Sequence, residues 1–224
     1  MLNLFKKFFP ILSILFIIFT QNCHFIPRTI PTYIESFEGY ASLRVKNSQI
    51  LKSKIAFLFF KDKGRVDILG LLGSTRAQIF LHSNISYFLL PKREVYWVGP
   101  SEKIMKTFLG FNLNMSEIKA FLTGQWENIL SEESFEKWKF LKDKDGKVIG
   151  GSRESFIFEI KEFFKGTSIP KKIIFSSLES NGKIKIFTLK FNQPIKPSAF
   201  SKFFLKYYEK KTLDEIMELL ENGN

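Results

Sequence analysis

The chain has 224 residues, a length typical of one domain and short for two. Its single cysteine excludes an internal disulfide framework and CxxC zinc sites, and its two histidines are too few for a metal cluster, so we expect no metal and no cofactor. Phenylalanine is unusually abundant, with 27 residues. Lys and Arg number 34 against 22 Asp and Glu, and the net charge of +12 indicates an anionic partner: nucleic acid, a phospholipid surface or an acidic protein.

Residues 1–22 have the pattern of a lipoprotein signal peptide. Lys6 and Lys7 close a short basic region, and the apolar stretch over residues 8–19 is shorter than the ~20 residues that a membrane-spanning helix needs. Cys23 follows where a bacterial lipoprotein carries its lipidated first residue, so we predict lipidation there. The residues just before Cys23 depart from the usual pattern, and an ordinary signal peptide with an incidental cysteine, or an uncleaved anchor, stays an alternative.

Residues 23–36 form the predicted tether between this anchor and the folded domain. Pro27 and Pro31 oppose a helix and remove backbone donors. Acyl chains on Cys23 would hold the domain against a membrane, since two or more chains make a stable anchor where one is marginal. Loss of residues 1–22 removes two lysines from the charge of +12 and leaves +10, so the basic balance belongs to the mature chain.

Residues 37–100 alternate between apolar and polar side chains, which is the pattern of half-buried β-strands. The alternation is clear in residues 41–45, the first of six such segments. Turn signals separate the segments and leave no room for crossover helices, so the six strands are predicted to form an antiparallel meander. Two helices are predicted to follow, over residues 101–109 and 116–122.

Strands resume after the second helix, and the sequence Asn181-Gly182 indicates a hairpin turn between the last two. The whole pattern predicts a mainly β fold with some α (α+β): a curved antiparallel sheet of about 11 strands with a lid of short helices. The folded domain is predicted over residues 37–200. Its later strands are predicted at residues 136–141, 147–150, 154–160, 171–178 and 183–191.

Residues 201–224 are predicted to form a C-terminal helical extension. Thr212 and Glu215 have the spacing of a capping box, and Leu213 and Ile216 begin an apolar stripe. The opposite face of this helix is acidic, which suits a helix docked on the domain better than one lying on anionic headgroups.

No residue pattern indicates catalysis. A nucleophilic triad needs a base that takes a proton near neutral pH, yet His24 lies in the tether and His82 at a strand end without a GxSxG turn. The segment from Gly70 to Gly73 lacks the GxxxxGK[ST] frame of a phosphate-binding loop. Alternating Phe and Lys residues are typical of amphipathic strands. We expect neither an enzyme nor a nucleic-acid-binding protein.

Many of the phenylalanines fall on predicted strands, where a curved sheet would gather them on one face. Each of them taken singly is most simply a core residue. A sheet of about 11 strands curls, however, and two short helices with a C-terminal tail leave part of its concave side unfilled. A hydrophobic cavity between the sheet and the helices is therefore predicted.

Short motifs between residues 39 and 124 carry a resemblance to a known family. They are Gly39, Gly64-Arg65-Val66-Asp67-Ile68-Leu69, Leu72-Gly73-Ser74-Thr75, Phe108-Leu109-Gly110, Asn112-Leu113-Asn114 and Phe121-Leu122-Thr123-Gly124. In this order and spacing the chain resembles the LolB-type receptors, which are outer-membrane lipoproteins of the lipoprotein-sorting pathway. The later strands match the family only in pattern.

The resemblance implies an unclosed β-barrel with a helical lid and an apolar cavity for acyl chains. Its cargo would be acylated lipoproteins, received from a soluble periplasmic LolA-like carrier and placed among outer-membrane phospholipids. The receptor itself would be a monomer, anchored through Cys23 on the periplasmic face of the outer membrane. The family uses an exposed leucine on the loop before Gly-Ser-Thr for membrane insertion of the cargo; that position is Leu72 here, and Leu71 precedes it on the same apolar turn.

The acyl-binding cavity is predicted to be lined by aromatic and aliphatic residues of the strands and the two helices. The alternative function is a structural or scaffolding outer-membrane lipoprotein whose concave face is packed shut or binds a partner protein. A ligand-accessible apolar cavity distinguishes the two. The predicted lining residues are Phe57, Phe59, Ile68, Ile79, Leu81, Tyr87, Trp97, Phe108, Phe121, Phe158 and Phe175.

Overall fold

The computed structural model describes residues 31–46, 50–82 and 84–221. The predicted signal peptide, Cys23 and most of the predicted tether lie outside the described residues. Within these described ranges, twelve β-strands form one sheet. Their bounds are β1 Ser36–Lys46, β2 Ile50–Phe60, β3 Lys63–Leu69, β4 Thr75–His82, β5 Ile85–Leu90, β6 Val95–Pro100, β7 Lys139–Lys142, β8 Val148–Arg153, β9 Phe156–Phe163, β10 Pro170–Ser176, β11 Asn181–Phe191 and β12 Glu209–Lys210.

The strands follow the order β12-β6-β5-β4-β3-β2-β1-β11-β10-β9-β8-β7 across the sheet. Neighbouring strands are antiparallel except β12, which runs parallel to β6. The edge strands β12 and β7 do not pair with each other, so the sheet is not closed. The α+β class, the antiparallel sheet and the unclosed barrel are thereby confirmed, with β12 as an addition to the predicted strands.

The sheet has a buried inner face and a charged outer face because side chains alternate along each strand. In β1, Ala41 points inward and is buried, whereas Arg44 points outward and is exposed. Ala41 lies opposite Ile55 of β2 and Ile186 of β11. Apolar rows therefore continue from strand to strand and form the core on one side of the sheet.

Five α-helices lie in the described part of the chain, and the first two occupy the positions predicted from the sequence. The third and fourth are additions, because helices of four and five residues are too short to show an apolar period. Ile104, Met105 and Phe108 are the buried residues of the first helix. The bounds are α1 Ser101–Leu109, α2 Met115–Thr123, α3 Trp126–Ile129, α4 Glu132–Glu136 and α5 Leu213–Glu221.

The hairpin turn between β10 and β11 lies earlier in the chain than predicted. It runs from Ser177 to Ser180, whose carbonyl accepts a 2.7 Å hydrogen bond from the Ser177 N–H. The predicted turn residues, Asn181 and Gly182, instead begin β11 and pair with β10. A Cβ atom on Gly182 would come within 2.4 Å of the Phe175 ring, so this glycine allows the ring to cross β11.

The C-terminal segment, residues 194–221, covers the outer face of β4, β5 and β6. The ring of Phe204 lies 6.2 Å from that of Phe80, which points outward from β4. Helix α5 packs against β5 and β6 and buries Leu213 and Ile216. The outer face is therefore apolar and covered at this edge of the sheet.

Helix α5 begins with the predicted capping box. The Thr212 N–H donates to Glu215 Oε2 at 2.8 Å, and the Glu215 N–H donates to Thr212 Oγ1 at 3.3 Å. Near its end, the Leu220 carbonyl accepts a hydrogen bond from Arg76 of β4. Among the helices that the structure describes, none is long and apolar enough to cross a membrane.

Candidate functional site

An apolar cavity of about 120 Å³ lies between the inner face of the sheet and helices α1 and α2. All its lining side chains are apolar, so it favours hydrocarbon over any group that needs a hydrogen-bond partner. The sheet contributes Leu43, Ile55, Phe57, Phe59, Val66, Ile68, Ile79, Leu81, Phe175 and Ile184. The two helices and the loop between them contribute Ile104, Met105, Phe108, Leu109, Phe111, Leu113, Ile118, Phe121 and Leu122.

Most of the predicted lining residues meet at this cavity. They share inner-face positions on β2, β3, β4 and β10, or buried positions on α1 and α2. Sequence reasoning missed Phe111 and Leu113, and the available signal was two apolar residues alternating with two asparagines between helices. Binding of acyl chains by these residues stays a prediction. The predicted residues that line the cavity are Phe57, Phe59, Ile68, Ile79, Leu81, Phe108, Phe121 and Phe175.

Two predicted lining residues lie elsewhere on β5 and β6. Tyr87 points to the outer face of β5, where Lys202 Nζ lies 4.1 Å from its ring centroid. The two-residue period of the strand turns it away from the cavity. Trp97 shares the inner face with Phe88, its partner on β5. It packs over Gly99 instead of against the cavity, and a Cβ atom on that glycine would come within 2.3 Å of the indole.

Phe158, the third such residue, belongs to a group that we call the aromatic cluster. Its ring stacks on Trp126 at 5.0 Å between centroids, and Trp138 lies 5.7 Å away. These rings fill the inner face of the sheet near β7 to β10, and three of them, Phe111, Phe121 and Phe175, also form the wall of the cavity on this side. The members of the aromatic cluster are Phe111, Phe121, Trp126, Trp138, Phe140, Phe156, Phe158 and Phe175.

A buried carboxylate holds the start of α2 on the sheet. Glu117 is 2% exposed, and its Oε2 accepts a 2.9 Å hydrogen bond from the Asn114 N–H in a capping box. Its Oε1 accepts from Trp138 Nε1 at 3.1 Å and forms an ion pair with Arg153 of β8. Arg153 also donates to the Asn112 carbonyl. Burying a carboxylate is costly without such donors, so the network holds this part of the lid in one place.

The β10–β11 turn holds the end of α1. Ser180 Oγ donates to the Leu109 carbonyl, and Ser177 Oγ donates to the Gly110 carbonyl at 3.3 Å. Carbonyls in the last turn of a helix have no partner within the helix, so these hydroxyls satisfy groups that would otherwise need water. The lid is therefore tied to the sheet at the end of α1 and at the start of α2.

Lys119 makes a third connection between α2 and the sheet. Its Nζ donates to the Lys61 carbonyl in the β2–β3 turn. Burial lowers the pKa of the Lys119 ammonium, and the Asp62 carboxylate partly opposes that shift. The same carboxylate lies 3.2 Å from Nδ1 of the exposed His82. Within the described residues no group of three or more His, Cys, Asp or Glu side chains is placed to hold a metal ion.

The turn between β3 and β4 presents a large apolar side chain to solvent. Leu72 lies in the 3₁₀ turn Leu71–Gly73 and is fully exposed. Its φ of 60° is in the left-handed region, which costs a non-glycine residue about 1–2 kcal/mol. A hydrogen bond of 2.8 Å from the Gly70 N–H to the Ser74 carbonyl closes the turn. Leu72 thus gains nothing from the core of its own domain.

Many solved structures are similar to this fold, and three of them are described here. A DUF1329 family protein from Desulfovibrio piger aligns with a TM-score of 0.51 and 11% identity, over 78% of this chain and 92% of that one. A putative outer membrane lipoprotein-sorting protein domain from Vibrio parahaemolyticus aligns at 0.49 and 12% identity, over 76% of this chain and 91% of that one. A LolA superfamily protein from Nitrosomonas europaea aligns at 0.49 and 10% identity, over 80% and 95%.

The likeness to the Desulfovibrio protein concerns the fold alone, because the identity is 11%. No protein-family model matches the chain, and no curated protein matches it.

Proposed function

We propose that this protein is a LolB-like receptor of the bacterial envelope. In this role it is anchored through Cys23, takes the acyl chains of other lipoproteins into its apolar cavity and delivers them to the outer membrane. The observation that carries the proposal is a cavity lined by apolar side chains beneath two helices. The order and spacing of the motifs from Gly39 to Gly124 support the same family. The role is one of binding and transfer, without a catalytic step.

An acyl chain needs such a shelter in the periplasm. At ~0.8 kcal/mol per CH₂, about 15 methylenes cost on the order of 12 kcal/mol to expose to water. Aromatic and aliphatic walls remove this cost without hydrogen bonds that would hold the cargo in a fixed pose. The cargo in this proposal is an acylated lipoprotein, handed over by a LolA-like carrier.

The size of the cavity implies that the lid moves during loading. A void of about 120 Å³ is slightly smaller than the ~150 Å³ cavity that holds one benzene molecule, whereas a whole acyl chain is much larger. Helices α1 and α2 therefore have to move away from the sheet for the chain to enter. The contacts of Glu117, Lys119 and the Ser177–Ser180 turn are the ones that such a movement breaks or carries along.

A polar substitution in the cavity tests the proposal. Met105 lines the cavity, and Met105→Gln keeps its length but buries an amide without a partner. We expect binding of a fluorescent fatty-acyl probe to weaken about tenfold, measured with a form that lacks residues 1–22 and carries Cys23→Ala. Met217 is half-buried on α5, outside the cavity, so Met217→Gln is the control and should bind the probe as tightly as the parent form. Equal binding by both variants, or no binding by the parent form, would sink the proposal.

One observation favours the scaffolding alternative. The aromatic cluster closes half of the inner face, as it would in a protein whose concave side is packed shut. That function predicts no uptake of the acyl probe by the parent form. The same titration therefore separates the two functions.

A further inference from the structure

A second exposed leucine lies at the tip of the β10–β11 turn. Leu178 is 90% exposed. The turn beneath it is well ordered by hydrogen bonds, since Ser177 Oγ accepts from the Ser180 N–H at 3.1 Å and from the Glu179 N–H at 3.3 Å. A large apolar side chain at the tip of a held turn is unusual, because such positions commonly carry polar residues.

Leu178 and Leu72 lie at the same end of the sheet. Strand β3 runs toward Leu72, and β10 runs toward Leu178, and the antiparallel order β3-β2-β1-β11-β10 makes these two strands point the same way. Their turns are separated by four strands, or on the order of 20 Å at ~4.8 Å per strand. The exposed Ile85 marks the opposite end, where β5 begins beside His82.

Basic side chains cover the outer face between the two leucines. Lys52, Arg44 and Lys183 form one row across β2, β1 and β11, and Lys54 and Lys185 belong to the next row. Within the described residues none of these side chains, nor Lys46, lies within ion-pair distance of a carboxylate. All six are exposed. We call this set the cationic band: Arg44, Lys46, Lys52, Lys54, Lys183 and Lys185.

The combination fits a phospholipid surface better than a protein. A stable protein interface needs a contiguous patch of about 800 Å² on each partner with few charges at its centre. Two leucine tips with cations between them form no such patch, and the exposed Ile157, which pairs with Ser176 near Leu178, adds only one further apolar side chain at this end. A bilayer accepts separate apolar groups at its interface and attracts lysines and arginines when its headgroups are anionic.

We propose that Leu178 is a second membrane-contact tip and that the cationic band binds anionic phospholipid headgroups, so that the domain stands on the membrane at Leu72 and Leu178 together. The inference rests on the proposed delivery function and names the lipid surface that the domain meets. Because Ser177 and Ser180 also bind the end of α1, the tip that touches the membrane is directly connected to the lid.

A lipid-quenching experiment on the full chain tests the tip. An environment-sensitive fluorophore is placed on Leu178→Cys in a chain that also carries Cys23→Ser, with vesicles of phosphatidylcholine and phosphatidylglycerol that contain a doxyl-labelled lipid. We expect strong quenching of the label at position 178 and none at Ile85→Cys, the control at the opposite end. Quenching at Leu72→Cys without quenching at position 178 would overturn the second tip and leave the delivery function intact.

The cationic band is tested in the same assay. We expect Lys183→Gln and Lys185→Gln each to lower the equilibrium constant for membrane contact of the position 178 label about fivefold. Vesicles of phosphatidylcholine alone, which have no anionic headgroups, should also lower this constant for the parent protein. Lys63→Gln and Lys165→Gln, exposed at the opposite end, should change nothing. Membrane contact that is unchanged by the lysine substitutions and by the omission of anionic lipid would overturn the headgroup site. Shielding of the label by an acidic protein, but not by vesicles, would identify a protein surface instead.

Discussion

Two buried tryptophans in the aromatic cluster contact each other but differ in hydrogen bonding. Trp138 Nε1 donates to the buried Glu117 carboxylate at 3.1 Å. Trp126 Nε1, equally buried, has no partner among the described residues and is surrounded by the rings of Phe121, Phe140 and Phe158. A comparison of the two side chains therefore distinguishes the contribution of an apolar indole ring to stability from that of its N–H group.

Replacement of each tryptophan by phenylalanine should show this difference. We expect Trp138→Phe to lower the free energy of unfolding by about 1–3 kcal/mol more than Trp126→Phe, because only the first deprives a buried charge of a donor. Urea unfolding of the two variants measures it. Equal losses would mean that Arg153 and the capping box satisfy Glu117 without the indole.

At the residue scale, the sequence predicts which side chains are apolar better than it predicts the face of the sheet to which they point. Leu72 stood out because a large apolar residue occupies a glycine-flanked turn, and the structure places it fully exposed. Tyr87 and Phe158 were predicted to line the cavity because both are aromatic residues on predicted strands. The former points outward, and the latter stacks on Trp126, which is 32 residues away in the sequence and was not expected beside it.

At the scale of elements, the end of α2 depends on a glycine with two separate constraints. Gly124 has a φ of 74°, and a Cβ atom there would lie 2.4 Å from the Ser168 carbonyl oxygen. Gly146, in the β7–β8 turn, has a φ of 77° with nothing within 4 Å of the same position. The two glycines share the conformational constraint, but only Gly124 is also packed against backbone.

Substitution by alanine separates these constraints. We expect Gly146→Ala to cost about 1 kcal/mol of stability for the left-handed conformation, and Gly124→Ala to cost a further ~1–3 kcal/mol from overpacking. Thermal or urea unfolding of both variants provides the comparison. A Gly124→Ala protein as stable as Gly146→Ala would show that the α2 end moves away from the β9–β10 loop at little cost.

Elements with a strong local pattern were predictable, and those held by distant contacts were not. Helices α1 and α2 and most strands follow from apolar period and turn signals. The turn at Ser177 to Ser180 replaced the predicted Asn181-Gly182 turn because a serine hydroxyl organises it and the Phe175 ring needs Gly182 inside the strand. Local preference for a turn was overridden by packing across the hairpin.

At the scale of the whole molecule, the chain enters the sheet at the end opposite the two leucine tips. Asn192 holds this entry, since its Oδ1 accepts from the Glu35 N–H at 3.0 Å and from the Ser36 N–H at 3.2 Å, and its Nδ2 donates to the Tyr33 carbonyl at 2.9 Å. Strand β1 then runs the length of the domain to Lys46 at the tip end. The predicted anchor is therefore attached at the far end from the proposed membrane contact.

The length of the tether limits this arrangement. Strand β1 has 11 residues and rises about 33 Å. The chain from Cys23 to Tyr33 reaches at most about 35 Å when fully extended. Contact of both tips with the membrane that holds Cys23 therefore uses nearly the whole reach of the tether.

Shortening the tether should separate membrane contact from ligand binding. Deletion of residues 25–28 removes roughly 14 Å of reach. We expect it to abolish quenching of the position 178 label in a chain that keeps its lipid anchor, while acyl-probe binding by the cavity is unchanged. Replacement of the same four residues by Gly-Ser-Gly-Ser keeps the length and should restore quenching. Quenching that survives the deletion would contradict this orientation of the domain.

The sequence by itself determined the class of fold, the succession of strands around two helices, the apolar nature of the inner face and the basic charge of the outer one. These properties depend on residues two to four positions apart, which is the range of strand and helix periods. The tertiary structure decided where the inner face is packed and where it is open, because β1 pairs with β11 and Glu117 with Arg153 across long stretches of chain. It also brought Leu72 and Leu178 to one end, since strand order, which no local pattern encodes, sets which turns are neighbours.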